Sequence, residues 1–346
     1  MNLSFEQALE KIAKLPFNKI FELGVDELVK KYDNLCYIGK DVPIIMFMSE
    51  FNPVLYEHYM RFFKFRQNDY FLYGPAQKSY QKHIDKIRTF GIDDEKINDY
   101  YDDEWNKIIN HKISDDFGLI IKNDFNDVFA TCGTQFIAIN IIQCIIHIHK
   151  FTNKLIIDDH ANIIIYERDV HQFEIFEPFA INKYFDKWKL IEKKKEIMDF
   201  CNKNQECYES NLDEFINNFI QPILTQKRMN SILKTFFGIF LRKSKFISTA
   251  QLFGKYGPQA IETLFGPSET FLDKEGDSII FAGFCGYFCL KYLDERIKSP
   301  DELPQIIVRN LMGRLVEHLD LAGTSQEIII RHMIKNYIIE LVKIIN

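Results

Sequence analysis

The sequence predicts an α+β fold in which a small group of β-strands is flanked by helices. Three observations carry that expectation. Apolar residues recur at helical intervals on both sides of the middle of the chain. Gln135 to Ile148 is dense in isoleucine, a β-branched residue that favours strands, and His171 to Phe176 alternates. A glycine-aromatic-cysteine step at Gly283-Phe284-Cys285 opens one more helical pattern.

Taken in order, Phe5 to Leu15 is spaced as a helix with Ser4 as its N-cap. Gly24 interrupts, and Val25 to Tyr32 resumes. Met46 to Phe65 is rich in aromatic residues and is broken by Pro53, while Tyr80 to Thr89 and Asp93 to His111 read as polar-faced helices. Residues 1–125 are therefore expected to be a mainly helical N-terminal region.

The texture changes near residue 126. Gln135 to Ile148 reads as a strand, Leu155 to Tyr166 as a second, interrupted at Asp158-Asp159-His160, and His171 to Phe176 as a third. Arg168-Asp169-Val170 is the turn of a hairpin, with Phe173 and Ile175 sharing a face. Residues 181–250 turn helical again, as an insertion. Trp188 to Cys201, Leu212 to Leu224 and Met229 to Leu241 carry it, and Phe236-Phe237-Gly238-Ile239-Phe240-Leu241 is apolar enough to be buried. Gly254 to Asp277 reads as loop. Phe284 to Ile297 is a helix, and Ser299-Pro300 caps the start of another. A helical extension occupies 311–346, with Thr324-Ser325-Gln326-Glu327 as a capping box.

Composition excludes several classes. The 346 residues suffice for two domains or one large decorated one. With 47% hydrophobic and 14% aromatic residues the chain is not intrinsically disordered. Forty-three Lys and Arg against 49 Asp and Glu give a net charge of −6, so no nucleic-acid partner is expected. The most apolar run, Phe136 to His149, is broken by Asn140, Gln143 and His147 and is shorter than the roughly 20 residues of a membrane span. Met1 to Glu6 lacks the basic and apolar regions of a signal peptide. Seven cysteines, an odd number, then point to free thiols in a reducing compartment. No Cys/His set has zinc-ligand spacing, and His147 and His149 lack a third ligand, so no metal is expected.

Three segments bear chemistry together: Asp159-His160-Ala161-Asn162, Phe176-Glu177-Pro178, and Gly283-Phe284-Cys285-Gly286. A thiol attacks a carbonyl as thiolate, which a helix N-terminus and a neighbouring imidazole both favour. Cys285 opens a helical pattern between small neighbours. An imidazole needs a third group to orient it. A hairpin turning near 168–170 lays His160 opposite about 178, which brings Glu177 close across the ladder.

This order resembles the Ulp1/adenain-like cysteine proteases, and most of all the thiol proteases of large DNA viruses. The matching elements are His160-Ala161-Asn162, Phe176-Glu177-Pro178, Gly257-Pro258-Gln259, Gly283-Phe284-Cys285, Arg296 and Pro300-Asp301, spanning about 130–310. The resemblance implies a catalytic domain over 126–310 built on a small central mixed sheet. It implies Cys285 as nucleophile, His160 as general base and acid, Glu177 as orienting acid and Gln259 in the oxyanion hole. No glutamine stands in Asp277 to Ala282, just before the cysteine, where the ubiquitin-like-modifier proteases keep one, and Ala161 replaces their usual aromatic residue. The implied activity is cleavage of a polypeptide, such as viral structural polyproteins during virion maturation, in host cytoplasm or the virion, without a cofactor. The alternatives are an isopeptidase acting on ubiquitin-like modifiers, an acyltransferase, and an inactive virion structural protein.

Overall fold

The computed structural model describes residues 17–39, 44–51, 53–54, 56–57, 69–92, 96, 100, 116–148, 155–178, 230–238, 244–253, 270–272, 278–280, 285–311, 339 and 342. The described helices are α1 (Phe17–Lys31), α2 (Pro75–Thr89), α3 (Phe125–Thr131), α4 (230–238), α5 (Thr249–Phe253), α6 (Cys285–Lys298) and α7 (304–311). The strands are β1 (Leu35–Ile38), β2 (Ile44–Phe51), β3 (Tyr70–Tyr73), β4 (Asp116–Lys122), β5 (Phe136–Ile148), β6 (Leu155–Glu167), β7 (Gln172–Phe176), β8 (Lys245–Ile247), β9 (Thr270–Leu272) and β10 (Ser278–Ile280).

The fold is α+β around a mixed eight-stranded sheet. Its order is β3-β4-β2-β5-β6-β7-β8, with β1 beside β5 as well. β5 and β6 form its long antiparallel spine, paired without a shift from Phe136↔Glu167 to Ile148↔Leu155. β1 and β2 run parallel to β5 along one edge, at 136–139 and 141–144 respectively. β9 and β10 make a separate antiparallel pair.

Alternation along the spine divides the buried residues into two layers. Phe136, Ala138, Ile163, Ile165 and Phe176 pack with α1, α6 and α7. Ile137, Ile139, Ile141, Ile164, Tyr166, Phe173 and Ile175 pack with α3 and α4. The predicted hairpin is present, with Phe173 and Ile175 on one face as expected and residues 168–171 in the turn. His171 adopts φ 49° there, and its Nδ1 lies 2.9 Å from the Tyr166 hydroxyl. The expected burial of Phe236 and Phe237 is also observed.

Several expectations are overturned. The described part of residues 1–125 holds strands as well as helices, since β1 to β4 lie there with α1 and α2, and β1 and β2 pair directly with β5. The boundary at 125/126 therefore cuts through one sheet. Met46 to Phe51, the start of the aromatic-rich run 46–65, lies in β2, and Tyr70–Tyr73 forms β3. Gly24 does not interrupt α1. A Cβ there would stand 2.5 Å from Leu290 Cδ1, so the glycine permits close approach of α1 to α6. β6 runs unbroken through Asp158-Asp159-His160, because β5 pairs with it at every step. The 181–250 insertion is not wholly helical, since β8 joins the sheet parallel to β7. β9 lies in the segment expected to be loop. Pro300 stands in a turn, and the next helix starts at Pro304. The expected helices at Phe5–Leu15, Trp188–Cys201 and Leu212–Leu224, and the capping box at Thr324, lie outside the described residues, as does the 311–346 extension apart from Leu311, Ile339 and Val342.

Candidate active site

α6 is helical because Cys285 to Lys298 has no proline or β-branched run. Arg296 and Lys298 lie in its last turn, where the helix dipole favours cations. Its buried face carries Cys285, Phe288, Cys289, Tyr292, Leu293, Arg296 and Ile297. This face lies on β6 and β7.

Two anchors fix the direction of α6. Near its start, the Cys289 thiol donates a hydrogen bond to the Ala161 carbonyl, 3.5 Å away. Near its end, Arg296 enters the sheet. Its Nε donates to Glu174 Oε1 at 2.9 Å, its Nη2 to Glu167 Oε2 at 2.5 Å, and its Nη1 to the Pro300 carbonyl at 3.1 Å. The Tyr292 hydroxyl donates to Glu174 Oε2 at 2.7 Å. The Tyr292 ring stacks on Phe176 with centroids 4.3 Å apart. Arg296 is 1% exposed and Glu174 0%. Burial opposes the charge on Arg296, but the two carboxylates outweigh it and hold the guanidinium's pKa up. Burial pushes the Glu174 carboxyl above its ordinary value, and Arg296 and Tyr292 pull it back only in part.

α6 thus runs in the same direction as β6. One turn back from Cys289 is about 6 Å of helix, or about two strand residues. Cys285, the first residue of α6, lies one helical turn before the Cys289 anchor. Cys285 is 1% exposed.

His160 occupies the β6 position opposite Gln143. The β6–β7 rungs run from Glu167↔Gln172 to Ile163↔Phe176. Extended by one rung, Glu177 falls opposite Asn162, diagonal to position 160 and in the same pleat phase. That is one residue away from the expected register. Glu177 follows β7 directly and is 4% exposed. Positions 160 and 177 share the phase of Ile164, while Ala161 has the phase that meets α6. Position 160 also lies beyond the last β6–β7 rung, at the rim of that part of the sheet. Gln259, Gly257, Pro258, Gly283 and Phe284 lie outside the described residues.

Both thiols of α6 are free and buried. Burial pushes Cys289 well above the ordinary thiol range, and the neighbouring Cys285 and Glu177 push it further. Cys289 therefore serves as a core hydrogen-bond donor, and Cys285 is the candidate nucleophile. The expectation of free thiols holds for these two residues and fails for Cys36 and Cys132, which form a disulfide. They are 96 residues apart in sequence, and the parallel pairing of β1 with β5 brings them together.

The Glu174–Arg296–Glu167 cluster was not expected. A signal was present, since Glu174 sits in the phase of Phe176 and Arg296 in the i, i+4 phase of Tyr292. Each is a charge in a buried pattern. Among the described residues no group of His, Cys, Asp and Glu could hold a metal ion, and no helix is long and apolar enough to cross a membrane.

In comparisons with known proteins, no family model, no curated protein and no solved structure matches this chain.

Proposed function

We propose that this chain is a cysteine endopeptidase that uses Cys285, His160 and Glu177 and cleaves viral structural polyproteins during virion maturation. One observation carries the reading. Cys285 heads a 14-residue helix that the Cys289 thiol, one turn further on, ties to Ala161, the residue after His160, and Glu177 directly follows the neighbouring strand. The resemblance to the Ulp1/adenain-like proteases supplies the roles, and Gln259 is assigned to the oxyanion hole on that resemblance alone.

In this reading the Cys285 thiolate attacks the peptide carbonyl and forms a thioacyl enzyme. His160 takes the thiol proton and gives it to the leaving amine, then activates water for deacylation. Glu177 orients the imidazole from the diagonal position.

The test is to incubate a core polyprotein precursor with the wild-type chain and with Cys285→Ala. Cleavage by the first alone is expected. Cleavage of a ubiquitin-like fusion instead would indicate an isopeptidase. A second reading, a structural virion protein without activity, is favoured by the near-complete burial of Cys285. Normal virion assembly with Cys285→Ala would support that reading over the protease.

A further inference from the structure

A cavity of about 690 Å³ opens beside the Cys36–Cys132 disulfide, between α1, β1 and α3. Both cysteines line it, together with Tyr37, Lys122, Phe125 and Thr134. Cys36 is half-buried, whereas Cys132 is buried. The disulfide joins a sheet strand to the residue that ends α3.

α3 has other attachments. Phe125 packs against Phe236 and Phe237, with ring centroids 5.8 and 6.2 Å apart. Phe129 packs against Tyr166 and Phe173. Arg168 donates hydrogen bonds to the Cys132 and Thr134 carbonyls. β1 keeps its own ladder with β5. The disulfide can therefore open while both elements stay in place.

We propose that Cys36–Cys132 is a thiol-exchange site at which a low-molecular-weight thiol, held in the adjoining cavity, opens and re-forms the bond in the folded chain. The incoming thiolate attacks Sγ of Cys36, the less buried residue of the pair. The Cys36–Cys132 bond breaks, and Cys132 leaves as thiolate and takes up a proton. A mixed disulfide remains on Cys36. A second thiol then attacks that adduct, which releases the oxidised small disulfide and a Cys36 thiol. Two small thiols are oxidised, and the protein disulfide is reduced by the same two electrons. Asp26, Lys122 and Asp124 are the charged residues of the lining, and Lys122 Nζ lies 3.9 Å from Asp124 Oδ2.

The site is independent of the protease reading, so its test uses the full chain carrying Cys285→Ala. Reduced and oxidised glutathione are applied at graded ratios without denaturant. Free thiols are then alkylated and mapped by peptide mass spectrometry, with circular dichroism recorded in parallel. Cys132 is expected to become labelled while Cys36 carries the glutathione adduct, and both to become labelled as the share of reduced glutathione rises, with the folded signal retained. In Cys132→Ser, oxidised glutathione is expected to leave its adduct on Cys36, whereas in Cys36→Ser the adduct on Cys132 forms more slowly. Three results would overturn the proposal: labelling of both cysteines before any reductant is added, reduction only after unfolding in urea, or a faster adduct on Cys132 than on Cys36.

Discussion

The two faces of the sheet solve the same packing problem with different chemistry. The face under α3 and α4 is closed by rings: Phe125, Phe129, Tyr166, Phe173, Phe236 and Phe237 meet edge-on, tilted or stacked at 4.5–6.4 Å. The face under α6 is apolar too, yet it encloses two carboxylates, a guanidinium, a phenol and a thiol, each with a named partner. Ring packing is adaptable and tolerates small shifts. A buried charge cluster is not, because any displacement leaves an ion without its partner. The ionic face therefore fixes α6, and with it Cys285, more tightly than apolar contact alone would.

The largest effect that can break this contrast comes from Arg296→Met. It leaves Glu174 buried without its cation, and about 3–5 kcal/mol of stability should be lost in urea unfolding. Adding Glu174→Leu and Glu167→Gln should recover most of that loss, since the penalty lies in the unpaired ions. Tyr292→Phe comes next. It removes one donor from the Glu174 carboxylate while keeping the stack on Phe176, and should cost about 2 kcal/mol by the same measurement. On the ring face, Phe237→Leu should cost only about 1 kcal/mol. A loss there as large as that of Arg296→Met would erase the distinction between the faces.

The smallest effect is at the edge of the ionic face, where Asp294 accepts hydrogen bonds from Lys31 at 3.0 Å, Tyr32 at 2.7 Å and Lys298. Burial works to raise the Asp294 pKa, but those hydrogen bonds outweigh it and hold the carboxyl below its ordinary value of 3.8. Because the folded pKa is depressed, this stabilisation is present above pH 3.8 and is lost as pH falls through the depressed value. Asp294→Asn should cost less than about 1 kcal/mol at neutral pH. It should also flatten the acid limb of the stability profile followed by circular dichroism.

Strand and helix were legible where the signals were local. The hairpin 155–176 shows this, because alternation at Phe173 and Ile175 and a turn at Arg168-Asp169-Val170 are local signals. The α6 helix was legible for the same reason. β1 to β4 were not. Their partners lie up to about a hundred residues away, and short aromatic runs such as Tyr70-Phe71-Leu72-Tyr73 fit a helix face as well as an edge strand. Gly24 was misread because its cause, Leu290, is in another part of the chain. Of the site, hairpin arithmetic laid position 160 opposite about 178, whereas the β6–β7 rungs run one residue out of that register. The disulfide did not, since only the parallel β1–β5 pairing brings Cys36 and Cys132 together.

The central claim is that His160 activates Cys285, and thiol alkylation tests it most directly. Iodoacetamide is applied at about pH 6.5, within the ordinary titration range of histidine, and each cysteine is followed by peptide mass spectrometry. The account predicts that Cys285 is modified first, that Cys289 stays unreacted, and that His160→Ala slows Cys285 by roughly a hundredfold or more. Equal rates for Cys285 in the wild-type and His160→Ala chains would contradict it.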